Sequence, residues 1–551
     1  MMKQILILAV LSLIIILFLP MPDYSQQHST LKKWTIMIYL DADNDLEEAG
    51  IEDFNELEVI GSSNEVNVVV QIDRIDKYDD SNNDWKGAKR YYVTKDEDTA
   101  IINSVELEDL GEVNMGDPAT LIDFVLWSIE NYPAEHYLLD FWDHGGAWTG
   151  VCWDDTDKDY LTLPEIDYAL REARKKINKN IDLVLFDACN MGSLEVFYQL
   201  RNYVDVAVGS EATVPGDGCP YDKILSFLVE TPAATPEELA AVIVDSYINS
   251  YTDGESDPDD VSWATMSAFK LEKFHLLAEQ IDQLCMLLSK NAALPPQGYN
   301  LQIVDSRNRA ETFYTPVPSP FLDIIPNLRT SIIDFYDFGA EINSPRHFRI
   351  DERAKLKARE AMKIFDELKL ASKHAGAFPD SHGLTIYFPN DKTTQYKEDY
   401  GKLAFAEHKY WDEFIECVNY PQNAENIPPT CLILEPKNYE IITAQDYLIK
   451  GIAFDVESLR QIQIKIDDGE WQIVEGLEEW HYNWKATQGT HKIYAMSFDG
   501  TQYSVEFEIE VEVLEPPRAA AVPFWIIIAI VVVVLAILYA IIKIRRITKK
   551  L

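Results

Sequence analysis

Hydrophobic positions in the first 420 residues fall into short runs separated by stretches of mixed character. The runs 34–40, 66–73, 137–143, 181–187 and 204–209 are predominantly apolar. That is the pattern of strands covered on both faces. Between them, 120–132, 163–178 and 236–250 repeat apolar residues at the helical period. Pro164 stands in the first turn of the second of these, where its missing N–H costs nothing. A short strand at 91–95 precedes an acidic loop, further strands are expected at 262–267 and 384–388, and a long helical region at 350–375. Strands alternating with helices predict a three-layer α/β domain over about 30–420.

The pattern changes at Pro421. Ile427-Pro428-Pro429 closes a linker over 421–429. From Thr430 to Val513 short strands alternate with turns, among them Asp467-Asp468-Gly469 and Asp499-Gly500, and no helical period is present. Trp471, Trp480 and Trp484 are expected to fill a small core. This predicts an all-β immunoglobulin-like sandwich over 430–515, acting as a spacer or as a chaperoning partner of the larger domain.

The two ends are the most apolar parts of the chain. Lys3 precedes an apolar stretch from Ile5 to Leu19 that Pro20 and Pro22 stop, so 1–29 reads as a signal peptide or a retained N-terminal anchor. Residues 519–542 are almost wholly apolar and long enough to cross a bilayer. Lys543, Arg545, Arg546, Lys549 and Lys550 follow, which predicts a transmembrane helix with a basic cytoplasmic tail at 543–551. The expected location is the cell membrane, single-pass, with everything between the ends outside and the lipid bilayer as a partner.

Charge narrows the partners. The formal net charge is -44, with 92 acidic residues against 48 basic ones. Such a surface excludes nucleic acid, whose phosphates need cations, and favours basic substrates and divalent cations. Six cysteines are too few for a disulfide scaffold in a chain of this length. Cys417 and Cys431 flank the domain boundary and could be joined.

Two of the buried strands end in reactive groups. One leads into His144-Gly145-Gly146, the other into Asp187-Ala188-Cys189-Asn190. The C-terminal edge of an open α/β sheet is where sites are built. A cysteine attacks as thiolate and histidine is a suitable base near neutral pH. His144 and Cys189 are therefore the candidate catalytic pair, and the Gly145 and Cys189 N–H groups the candidate oxyanion hole. A buried structural thiol and a hydrogen-bonded strand-end histidine are the competing readings.

Five stretches in order resemble the clostripain family of cysteine peptidases, within the caspase–gingipain–legumain fold group. They are 38–46, Asp143 to Trp148, Phe186 to Met191, Gly209-Ser210-Glu211 with Pro215 to Gly218, and His382 to Pro389. The resemblance covers about 31–420 and implies a caspase-like α/β/α sandwich. It places the catalytic histidine at His144 and the nucleophile at Cys189. It implies a pocket for a basic residue before the cut, with Asp187 at its floor and Asp217 as the second carboxylate. Carboxylates pair well with guanidinium or ammonium. Ala147 stands where a third glycine is usual, and Cys219 where an aromatic residue is common. Cys219 could reshape a pocket wall or pair with Cys152. His382, also followed by glycine, is a rival base, but the resemblance makes its strand structural.

The expected function is thus a cell-surface cysteine endopeptidase acting on peptide or protein substrates after Arg or Lys. An inactive adhesion or scaffold protein of the same fold, and a thiol acyltransferase, are the alternatives. The chemistry requires no cofactor. A structural or activating calcium is open, as some relatives need it. Asp41, Asp43, Asp45 and Glu52 mimic an EF-hand loop but have Leu46 where glycine is needed, so these aspartates are expected to cap the next helix. The acidic loop 253–260 is the better calcium candidate. Basic residues between Arg171 and Lys179 offer sites for self-cleavage.

Overall fold

The computed structural model describes residues 31–252, 263–293, 298–313, 320–321, 328–389, 397–407, 410–420, 428–436, 440–443, 446–455, 458–504 and 506–514. The expected N-terminal signal or anchor, the loop 253–260, most of the linker, the apolar segment 519–542 and the basic tail all lie outside the described residues. The chain divides into two compact units at Asn419 and Tyr420.

The first unit is built on a nine-stranded sheet. Its strands are β1 (Lys32–Ala42), β2 (Val66–Arg74), β3 (Ala88–Tyr92), β4 (Val105–Gly111), β5 (Ala134–Asp143), β8 (Ile181–Ala188), β9 (Val204–Gly209), β10 (Thr265–Lys270) and β12 (Lys369–His374). Their spatial order is β12-β10-β9-β8-β5-β1-β2-β3-β4. The central strands β2, β1, β5, β8 and β9 run parallel, and the outer ones pair antiparallel. Burial explains the parallel centre, since every residue of β2 and β8 is buried.

Helices cover both faces. On one, α1 (Glu47–Ile60), α5 (Tyr221–Glu230) and α6 (Pro236–Ser250) share a core with Ile36, Ile38, Leu40, Val68, Val70 and Leu185. On the other lie α2 (Pro118–Asn131), α3 (Leu163–Ile177) and α4 (Leu194–Leu200), with Tyr39 packed against Phe124 and Phe141 stacked on Phe186. Pro118 and Pro164 open α2 and α3, and Thr162 with Glu165 forms a capping box on α3. Two small two-stranded sheets complete the unit: β6 (Val151–Asp154) with β7 (Asp159–Leu161), and β11 (Ile332–Asp334) with β13 (Thr385–Tyr387).

Several expectations need correction. The acidic loop after β3 contains strand β4, whose exposed Glu106 and Glu108 pair with Lys89 and Arg90. The helical region at 350–375 is a helix, Glu352–Leu368, followed by edge strand β12. The strand near 384–388 joins β11 and not the main sheet.

The second unit is all β. One sheet has the order β14-β16-β20-β19 and the other β15-β22-β21-β17-β18. Here β14 is Thr430–Glu435, β15 Ile441–Ile442, β16 Asp446–Phe454, β17 Gln461–Ile466, β18 Gln472–Ile473, β19 Glu475–Gly476, β20 Glu479–Lys485, β21 Gly489–Phe498 and β22 Phe507–Val513. Ile449, Trp480 and Trp484 from the first sheet meet Ile462, Ile464, Ile493 and Ile509 from the second in one core. Trp471 is not part of it; Lys465 lies over its ring. The immunoglobulin-like assignment is corrected to this coarser one, a two-sheet β unit.

The membrane assignment is also corrected. Among the described residues no helix is long and apolar enough to cross a membrane. The expected transmembrane helix, the single-pass cell-membrane location and the bilayer partner therefore have no element of the structure behind them.

Candidate active site

Strands β5 and β8 are neighbours, paired from Leu138 with Leu183 through Asp143 with Ala188. Their C-terminal ends deliver His144 and Cys189 side by side. Contact is close enough to demand glycine. A Cβ on Gly145 would stand 2.2 Å from the Cys189 carbonyl oxygen and 2.9 Å from its nitrogen. Gly145 also forms an antiparallel bridge with Val151 in which the flanking residues carry the hydrogen bonds, Gly146 N–H to Gly150 O and Cys152 N–H to His144 O. That geometry leaves the Gly145 N–H outside the ladder.

After Cys189 the chain turns sharply. Asn190 has φ of +64°, a left-handed conformation that asparagine tolerates better than most residues. Its N–H donates to Ala212 O and its side-chain amide to Glu211 O. The loop after β9 thereby holds the cysteine turn. The Val214 N–H points at Cys189 Sγ, 3.3 Å away. Burial pushes the Cys189 thiol up, while that N–H and the Arg329 guanidinium pull it down. At rest the thiol form is thus favoured, and a base is needed to make the nucleophile.

His144 is held from the other side. Its Nε2 lies 2.8 Å from Asp45 Oδ1, across 99 positions of sequence. That hydrogen bond holds the Asp45 carboxyl below the usual carboxylate range. Asn44 donates to Asp143 Oδ1 and to Trp153 O at 2.8 Å each, joining the loop after β1 to the histidine strand and to β6. The aspartates after β1 therefore do not cap α1, whose first residue follows Leu46 with no side-chain cap. Asp45 is a site residue that sequence reasoning missed; the conspicuous acidic run was its only signal.

Ala147, the first departure from the family pattern, has φ of +52°. Glycine adopts this conformation freely and alanine does not. Cys219, the second, is a buried thiol whose N–H donates to Asp187 Oδ2 at 2.8 Å. Cys152 and Cys219 are both buried free thiols, so they are not joined as a disulfide. Asp187 is buried, and burial raises its carboxyl. Asp217 is exposed on the loop before Gly218. His382 lies 3.3 Å from Asp334 with its ring stacked on Tyr336, in the loop that leads into β13.

A second acidic group lies beside the loop after β1. Carboxylate oxygens of Asp43, Glu112 and Asp154 come within 4.8 Å of one another and could hold a metal ion. Asp73, which pairs with Asp41 across β1 and β2, is fully buried with neither carboxylate oxygen hydrogen-bonded. Burial and the neighbouring Asp41, Glu112, Asp43 and Asp154 push its carboxyl well up. Oxygen-only ligands suit a hard divalent cation.

An α/β sheet with histidine and cysteine on adjacent strand ends defines a thiol hydrolase of the cysteine-peptidase class. A family model described as the clostripain family, peptidase family C11, matches residues 38–417. The chain belongs to the clostripain family. Clostripain of Hathewaya histolytica is 26% identical over 449 residues, 71% of this chain and 81% of that protein. A secreted C11 cysteine protease from Bacteroides thetaiotaomicron, solved with an irreversible peptide inhibitor, is similar over 71% of this chain and 99% of its own. The TM-score is 0.50 at 19% identity, a likeness of fold. The protein is a cysteine endopeptidase directed to bonds after arginine or lysine.

Proposed function

We propose that Cys189 is the nucleophile, His144 its base, and the Gly145 and Cys189 N–H groups the oxyanion donors. The observation that carries this is the packing of Gly145 on the Cys189 backbone, which places both N–H groups at one strand edge. His144 takes the thiol proton as Sγ attacks the scissile carbonyl, then gives a proton to the leaving amine. Asp45 acts as a positioning residue through its bond to His144. Water hydrolyses the acyl-enzyme. Asp187 is the floor of the pocket for the basic residue, with Asp217 nearer its mouth. The test is hydrolysis of matched fluorogenic peptides ending in Arg, Lys, Asp, Asn or Leu, with Cys189→Ala as control. Cleavage after Arg or Lys that survives in Cys189→Ala would reject the assignment.

Calcium is the cation we assign to Asp43, Glu112 and Asp154. Its support is the fully buried, unpartnered Asp73 beside them. Melting of the protein titrated with calcium tests it; no shift at any concentration would reject the site.

A further inference from the structure

Beneath the strand ends Asp187 is joined by two carboxylates that the resemblance does not imply. Asp187 sits on β8, Asp140 on β5 and Asp53 on α1, and all are buried. The Tyr221 hydroxyl lies 2.7 Å from Asp140 Oδ2 and 3.0 Å from Asp187 Oδ2. Asp53 Oδ2 accepts the Trp142 indole N–H at 2.6 Å. One phenol hydrogen can serve only one of these carboxylates at a time, and Asp187 Oδ2 also takes the Cys219 N–H at 2.8 Å. Asp140 Oδ1 and Asp187 Oδ1 are buried with no hydrogen-bond partner. Such oxygens call for a donor from elsewhere.

Gly218 packs directly against this group. A Cβ built there would stand 2.8 Å from Asp53 Oδ2 and 3.0 Å from Asp187 Oδ2. Together these distances put the two oxygens within about 6 Å of each other, across a notch at Gly218 so narrow that a Cβ would force its walls to shift. The φ of Gly218 is +55°, which also disfavours a side chain. A guanidinium presents N–H groups in a planar fork and can bridge two carboxylates. Asp217, on the same loop, is exposed.

We propose that Asp53 is a specificity-determining residue, gripping the basic side chain before the cut together with Asp187, with Asp140 and Tyr221 as their hydrogen-bonded support. This rests on the assignment of Cys189, His144 and Asp187 above. Arginine gains an ion pair with both carboxylates at once, whereas a neutral isostere keeps hydrogen bonds but forms no ion pair.

The test uses the full chain and matched peptides carrying arginine, lysine or citrulline before the scissile bond. Asp53→Asn is expected to lower kcat/KM on arginine roughly tenfold or more, through KM, and to leave citrulline within about twofold. Asp217→Asn is expected to change the arginine-to-citrulline ratio less. A folded Asp53→Asn protein, verified by melting and active-site thiol titration, that keeps the wild-type ratio would overturn the proposal. Should that variant not fold, Gly218→Ala decides, because its methyl enters the notch: selective loss on arginine supports the proposal, and equal loss on both peptides overturns it. Citrulline and arginine cleavage persisting in Cys189→Ala would strike the underlying assignment instead.

Discussion

Adding one methyl group at Gly145 should inactivate the enzyme more than it destabilises it. The new Cβ would stand 2.2 Å from the Cys189 carbonyl oxygen, 2.9 Å from the Cys189 nitrogen and 3.0 Å from Met191 Cγ. The first is short of ordinary contact by more than about 1 Å. The obstacle is backbone at the end of a buried strand, so no flexible side chain can swing away. Gly145 is not among the left-handed glycines, so the perturbation is steric alone. Relief requires the ends of β5 and β8 to part by roughly 1 Å. A displacement of that size between reacting groups lowers rate about 10²-fold, or about 2.7 kcal/mol in the barrier. Overpacking at one site costs about 1–3 kcal/mol of stability, which leaves a folded protein. The assay is kcat/KM on an arginine peptide for Gly145→Ala and wild type, beside thermal melting of each. A variant with wild-type melting and kcat/KM within threefold would refute the packing of Gly145 on Cys189.

Three further outcomes are expected. Asp45→Ala should lower kcat by roughly threefold to thirtyfold with KM little changed, and Asp45→Asn by less, since an amide oxygen can accept the same bond from His144; equal kcat in all three proteins would remove the positioning role. Ala147→Gly should raise stability by up to about 1 kcal/mol in urea unfolding, because it relieves the strain of φ +52°; a lower midpoint would contradict that. Burial pushes Asp154 up to about 6 and Glu112 up to about 7. Carboxyls raised on folding stabilise most at low pH and lose that contribution as pH climbs through these values. A divalent cation that replaces the protons should therefore raise the melting temperature more at pH 8 than at pH 5.5, and an equal shift at both would count against binding by these groups.

The sequence was most legible where burial left no choice. β1, β2, β5, β8 and β9 are covered on both faces, so apolar residues predominate in them and their ends are visible. His144 and Cys189 stood out as candidates because each ends such a run. β4 was invisible for the opposite reason: it is an exposed edge strand whose glutamates pair with charges on β3. The boundary between the helix ending at Leu368 and β12 was missed because the edge strand is only half-buried and lacks an alternating pattern. The Asp45–His144 bond and the meeting of Asp53, Asp140 and Asp187 join residues from separate elements. No local pattern encodes such contacts; they exist only once the sheet order is known.

That sheet order divides the molecule in an instructive way. Every strand on one side of the β5–β8 contact precedes α3 in the chain, and every strand on the other side follows it. On the proposed assignment, the nucleophile Cys189 and its partner His144 therefore arrive on separate halves of the polypeptide. A ribosome releases the histidine half first, and that half has no thiol poised for attack. Hydrolytic power begins only when the later half docks edge to edge with the earlier one. The appearance of activity during refolding would then time the closing of that seam.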